Sequence, residues 1–430
     1  MNIKNNFVIM IGIITIILIV GYLPTSSISS YASVNMLDNS FVGGDKDENI
    51  QKITTNATSS DNRISNGNLL ENKKAPEFYK IEGSINTGYD NQSISVTSLK
   101  GKVVLVNFWT YSCINVLRTL PHLLDWDAKY SDDGLVIVGV HTPEFEFEKN
   151  IENVKSAVQR YGINYPVLLD NVRGTWNAYE NNYWPRMYLV DAQGYIRYDK
   201  IGEGDYDHTE KVIQSILKAR NADNDIKNTD YNNNKTISYD NGNNESINNL
   251  SNNISSFLVQ PVDFTKIKTS ESYFGNQSSR SALGNPEGFH PGQILNYSLP
   301  MSSSSSNLTS SIKPNIIYLE GQLKNNPDNI ELQSDTGRIL LNYSSKSVNL
   351  VAGVNGNDKD KSQSQLTIYD DHSLVSNQSR GIDVGNNGKF VVNEPRLYNI
   401  VNHKSYSDSS HSLLIDIQGK GLQAFVFTFG

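Results

Sequence analysis

The stretch TYSCINVLRTLP, residues 110–121, holds the only cysteine of the 430-residue chain. A dithiol redox site needs a second thiol about one helical turn further on, and Val116 stands there. Cys113 follows VVLVNFW (residues 103–109), a continuous apolar and β-branched run that predicts a strand buried on both faces. After it, Val116, Leu117, Leu120, Leu123, Leu124 and Ala128 recur at helical spacing, with Pro121 as an expected kink. A cysteine at the first turn of a helix faces free N–H groups and the positive end of the peptide dipoles. The placement predicts a stabilised thiolate and a nucleophilic sulfur. The competing expectation is a buried, inert thiol, since free cysteines are among the most buried residues.

The elements around this cysteine alternate. GLVIVGV (134–140) predicts a second buried strand, NIENVKSAVQRYG a helix ending at Gly162, and YPVLLD a third strand. RMYLVDAQGYIRYDKIG reads as two strands joined by a turn at Ala192-Gln193-Gly194, and DHTEKVIQSILKAR as a closing helix begun by Asp207. Strand and helix in this order imply an α/β layer structure over residues 75–221. From about residue 257 to 430 the pattern changes to short strands, such as NIIYLEGQL, GRILLNY, SVNLVAGV, HSLLIDIQ and QAFVFTF, punctuated by Gly, Asn and Ser. That spacing points to an all-β sandwich.

Two polar tracts frame these domains. Residues 25–74 and 222–256 carry too little apolar surface to offset the entropy of ordering them, so they are expected to be a disordered tether and linker. Residues 7–23 form an uncharged apolar run, and SYAS offers a small-residue cleavage site after Ala32. The run exceeds most signal cores in length, which favours an uncleaved membrane anchor within residues 1–24 over a secretory signal. Either reading sends the chain outside the cytoplasm. One cysteine there means no intramolecular disulfide. Sequons at Asn234, Asn244, Asn253, Asn307 and Asn342 fit an exposed, glycosylated surface. The net charge of −8, with no basic stripe, excludes nucleic acid as a partner.

At VNFWTYSCINVLRTLP, GVHTPEFEFE, YPVLLDN, TWNAYENNYWPRMYLVD and IGEGDYDHTE the chain resembles the thioredoxin-like domains of the TlpA and DipZ type, related to the redoxins. The resemblance spans nearly all of residues 75–221 and implies a thioredoxin fold. ESYFG, SVNLVAGV, GIDVGNNGKFVVNEPRLYNIV and LQAFVFTFG resemble the C-terminal β-sandwich of DipZ-like proteins, which is carbohydrate-binding-module-like and jelly-roll-like in shape. The resemblance makes Cys113 the attacking cysteine of a Cys-x-x-Cys pair whose resolving position is lost at Val116. It makes Pro185 a cis-proline beside the cysteine, leaving the backbone of Trp184 free to pair with an extended substrate strand. Trp109 and Tyr111 would wall the sulfur, while for Trp109 and Trp184 core packing is an equal alternative. Arg118, His141 and Glu144 are candidates to tune the thiolate.

Three fates are open to Cys113: monothiol exchange resolved by an external thiol, peroxide reduction through a sulfenic acid, or no turnover. The peroxiredoxin pattern wants a proline where Val106 stands, although Thr110 lies at the right offset, which weakens the second. His141 and Glu144 with Cys113 could offer a metal site, but one cysteine and one histidine are too few ligands for a closed zinc site; thiolate and imidazole suit copper as a minor alternative, and no metal or cofactor is expected. The sequence therefore predicts an extracytoplasmic, single-cysteine thiol oxidoreductase with a protein disulfide client or a small peroxide as substrate, an external thiol as reductant, and antioxidant activity as a further expectation. The alternative is a redox-inactive thioredoxin-fold binding protein with a glycan- or protein-binding sandwich. Tyr273, Phe274 and Tyr398 are expected in the sandwich core more than on a sugar-stacking face.

Overall fold

The computed structural model describes residues 63–65, 68–70, 73–88, 94–227, 262–275, 282–300, 312–355 and 363–430. The expected anchor at 1–24 and most of both polar tracts lie outside them. Among the described residues no helix is long and apolar enough to cross a membrane.

The first domain is a mixed sheet with helices packed on it. Its strands are β1 (Arg63–Ser65), β2 (Asn68–Leu70), β3 (Gly83–Ile85), β4 (Val103–Trp109), β5 (Leu135–His141), β6 (Val167–Leu169), β7 (Arg186–Val190) and β8 (Ile196–Ile201). They lie in the order β2-β1-β8-β7-β4-β5-β6-β3. β4 is central, parallel to β5 and antiparallel to β7, and every residue of β4 and β5 is buried, as unbroken apolar runs require. The helices are α1 (Ile114–Tyr130), α2 (Ile151–Arg160), α3 (Gly174–Ala178) and α4 (Tyr206–Lys227). α1 runs unbroken through Pro121 and buries Val116, Leu117, Leu120, Leu123 and Trp126. α4 continues six residues past residue 221, so the start of the expected linker is helical. This is a thioredoxin fold.

The second domain is a β-sandwich. One sheet contains Ser364–Asp370, His411–Gln418 and Thr336–Tyr343, and the other contains Ile330–Leu332, Leu422–Phe429, Ser347–Val354 and Arg396–Asn402. The strand Ile316–Asn325 belongs to both: residues 317–320 pair with Thr336–Tyr343, and residues 323–325 pair with Ile330–Leu332. The switch falls at Gly321, whose φ of 116° is closed to L side chains. Between the sheets pack Leu319, Leu341, Ile368, Ile415, Leu350, Tyr398 and Phe427, all fully buried. Phe274 and Tyr398 are core residues and Tyr273 is 8 % exposed, so none offers a face for stacking on sugar. Asn342 of the expected sequons is also buried, its amide donating to Ile312 O at 3.2 Å, so it is not an exposed sequon. The other four named sequons lie outside the described residues.

The two domains share a core. Tyr273, Val351, Leu397, Phe425 and Val426 of the sandwich cluster with Trp109, Tyr111, Ile114 and Phe145 of the thioredoxin domain. Phe425 sits 4.6 Å from Phe147 and 5.2 Å from Phe145 between ring centroids. Arg160 pairs with Glu394, and the Glu146 N–H donates to Asp328 Oδ2 at 3.2 Å.

Candidate functional site

Cys113 is the N-cap of α1, with extended backbone (φ −85°, ψ 120°) and its carbonyl accepting from Leu117 N at 3.0 Å. Its side chain is half-buried, and the N–H groups of Val116 and Asn115 bond to the sulfur. That much follows the sequence. The electrostatic outcome does not. Burial pushes the thiol well above its ordinary range, the carboxylates of Glu271 and Glu144 push it further, and the two N–H groups pull it down without prevailing. The direction is thus opposite to the lowered thiol pKa expected from the helix start.

Glu271 comes from the sandwich. Tyr273 Oη donates to Glu144 Oε1 at 2.7 Å and lies 3.2 Å from Glu271 Oε2, so one phenol joins carboxylates from both domains beside the cysteine. The strand Ser272–Tyr273 is fixed by pairing with Leu422–Phe429 (Tyr273 opposite Val426) and by the Phe274 N–H to Phe425 O bond of 2.8 Å.

A fully buried carboxylate, Glu148, ties the loop after β5 to the cysteine loop. It accepts Ser112 Oγ at 2.6 Å on one oxygen and the backbone N–H groups of Glu144 (2.6 Å) and Phe145 (3.0 Å) on the other. Burial raises its pKa, and these hydrogen bonds oppose the rise. Sequence reasoning passed over Glu148, Glu271 and Tyr273 as site residues. ESYFG carried two of them as a family motif, but no local pattern says that a residue of a second domain will meet Cys113.

The remaining candidates divide. Glu144 does act on the thiol, in the direction opposite to activation. His141 does not: it is fully buried, its ring lies 5.1 Å from that of Trp109 and 5.7 Å from that of Tyr111, and neither ring nitrogen reaches another residue. Burial depresses it to about 3, so it is neutral. Arg118 is also no thiolate partner, because its guanidinium is buried against Glu203 at 3.0 Å. Trp109 and Tyr111 are at most 1 % exposed and belong to the core, not to a substrate wall. Val116 is fully buried one turn into α1.

Pro185 stands where expected. It directly precedes β7, whose Arg186 pairs with Phe108 near the end of β4, and its peptide with Trp184 is cis. Its carbonyl accepts from Gly202 N at 2.9 Å. Trp184 is half-buried against Trp176 (4.4 Å between centroids), donates Nε1–H to Thr142 O at 3.0 Å and carries the Arg173 guanidinium 5.1 Å from its ring. Its own backbone N–H and C=O make no hydrogen bond among the described residues.

Comparison with known proteins follows this division of the chain. The family described as Redoxin matches residues 70–217, and the family described as Thioredoxin like C-terminal domain matches residues 269–430. Over 143 residues the chain is 49 % identical to Protein DipZ of Mycobacterium tuberculosis, covering 33 % of this chain and 20 % of that protein. It is 28 % identical over 116 residues to the thiol-disulfide oxidoreductase YkuV of Bacillus subtilis, covering 27 % of this chain and 78 % of that one. The solution structure of a thioredoxin-like protein in the oxidized form is 26 % identical, with 34 % of this chain and 96 % of that one covered and a TM-score of 0.31. The chain spans about a fifth of the length of the mycobacterial relatives it matches.

Proposed function

Because this chain is a thioredoxin-like protein of the DipZ and TlpA type, we propose that it is a single-cysteine thiol–disulfide oxidoreductase acting outside the cytoplasm. Residues 75–221 form its thiol-bearing domain, 257–430 its sandwich, and the N-terminal apolar run its membrane anchor. The observation that carries this reading is the position of Cys113: helix N-cap, half-buried, with two backbone N–H groups on its sulfur.

An extended client strand docks on the free backbone of Trp184, ahead of Pro185. The Cys113 thiol loses its proton to a carboxylate of Glu144 or Glu271, the two that act on it electrostatically, and the thiolate attacks one sulfur of the client disulfide. The other client sulfur leaves as a thiolate. Val116 offers no resolving thiol, so an external thiolate attacks the Cys113 sulfur and releases the second client thiolate. A second external thiolate then frees Cys113, and the two external thiols depart as a disulfide.

The thiol's upward shift favours a second reading, a redox-inactive thioredoxin scaffold that holds clients. One experiment separates the two. The reduced full chain is incubated with a disulfide-bonded client between pH 7 and 9 and quenched in acid. Long-lived Cys113 adducts, absent in Cys113→Ser, together with no insulin reduction at thioredoxin-like rates, are the expected result. A Cys113 that forms no adduct across that range leaves only the scaffold.

A further inference from the structure

One end of the sandwich gathers polar side chains that the thiol chemistry does not use. Tyr343 closes Thr336–Tyr343 and His411 opens His411–Gln418, and the two are direct register partners. Asp370 closes Ser364–Asp370 on the far side of that strand, with Asp371 next in sequence. His403 follows Arg396–Asn402 of the opposite sheet and is held there by its backbone N–H to Lys346 O at 2.8 Å.

The side chains converge. His403 Nε2 lies 3.2 Å from Asp370 Oδ2 and 3.0 Å from Tyr343 Oη, and Tyr343 donates to Asp370 Oδ1 at 2.9 Å. His411 Nδ1 lies 2.8 Å from Asp371 Oδ2. The two imidazoles are stacked with centroids 4.3 Å apart. One ligand atom each from Asp370, His403 and His411 falls within 4.8 Å of the others. Side-chain exposures of 6 %, 17 % and 13 % make the group sunken but reachable, and Asp371, at 55 %, marks its solvent side.

A neutral imidazole can donate its one N–H to a carboxylate or turn its lone pair to a cation, and two imidazoles converging with a carboxylate within 4.8 Å form a donor set for a cation. Donors at about 2.0–2.1 Å from a tetrahedral ion stand roughly 3.3 Å from one another, close to the His403–Asp370 separation. Two nitrogens and a carboxylate suit a borderline divalent ion, whereas calcium and magnesium favour all-oxygen shells. The Tyr343 hydroxyl, bonded to one oxygen of Asp370, orients the other toward the cluster.

We propose that Asp370, His403 and His411 form a binding site for a borderline divalent transition-metal ion, zinc being the reference, with water or Asp371 completing the shell. The site is independent of the thiol reading, and either can fail alone. The test is calorimetric titration of the full chain with Zn2+, with Co2+ as a spectroscopic probe. One equivalent is expected to bind, about tenfold or more weaker in His403→Gln and in His411→Gln, unchanged in Cys113→Ser, and not displaced by Ca2+ or Mg2+. Co2+ should give visible d–d bands without thiolate charge transfer. Zn2+ affinity unaltered in the double His403→Gln/His411→Gln variant, or absence of any Zn2+ binding, overturns the proposal. Should the variants misfold, wild-type Co2+ spectra decide, a thiolate band as the main signal being the contrary result.

Discussion

At the scale of single residues, the site is governed by which groups burial keeps neutral. His141 has a folded pKa near 3, below its unfolded value of about 6.5. The unfolded chain therefore binds the extra proton between those values, and stability from this residue is complete above pH 6.5 and declines as pH falls toward 3. His141→Leu, which also removes two unpartnered nitrogens, should flatten the acid-side fall in melting temperature between pH 6.5 and 4. Asp127 behaves oppositely. Burial raises its carboxyl to about 6, so the native state holds the proton more tightly and stability falls as pH rises from about 4 to 6. Asp127→Asn should raise the melting temperature at pH 7 by about 2 °C, and a lower value would contradict the burial argument. Both effects are readable by calorimetry across pH.

At the scale of elements, α1 carries the lost half of the redox motif. Val116 is buried one turn below Cys113, with its N–H on the sulfur. Val116→Cys should restore dithiol exchange, seen as insulin reduction above the wild-type background. Legibility differed among elements for physical reasons. β4, β5 and α1 were readable because unbroken apolar runs and a 3.6-residue period are local properties of the chain. β1, β2 and β3, three residues each, and the five-residue α3 carry too short a pattern to stand out, and exist through pairing or packing against longer elements. Cys113 and Pro185 were legible from their motifs. Tyr111 and His141 turn out to be core residues and Trp109 takes the core one of its two readings, because a residue type suggests a role, while burial, a tertiary property, decides whether it can be performed. Gly139 illustrates the same dependence: a Cβ there would sit 2.9 Å from Trp109 Nε1 and 3.2 Å from Tyr165. Gly139→Ala should therefore cost about 1–3 kcal/mol in denaturant unfolding.

At the scale of the whole molecule, the sandwich is part of the site. Glu271 and Tyr273 reach the cysteine because their strand is anchored on Leu422–Phe429, and Phe425 of that strand lodges against Phe145 and Phe147. Phe425→Ala should destabilise the chain by about 3 kcal/mol and accelerate alkylation of Cys113 several-fold, as the cover loosens. An unchanged alkylation rate in a destabilised variant would show that the sandwich does not shield the sulfur. The three residues of the proposed metal cluster, and Tyr343 with them, come from three strands of this domain and the residue just after a fourth, which is why no motif announced them. The strand Ile316–Asn325 has a consequence of its own. Because one backbone is hydrogen-bonded into both sheets across Gly321, neither sheet can peel away without tearing the other. Amide protons on the two faces should therefore exchange with deuterium through a common opening event, and mechanical tension applied to one sheet should rupture the pair in a single step.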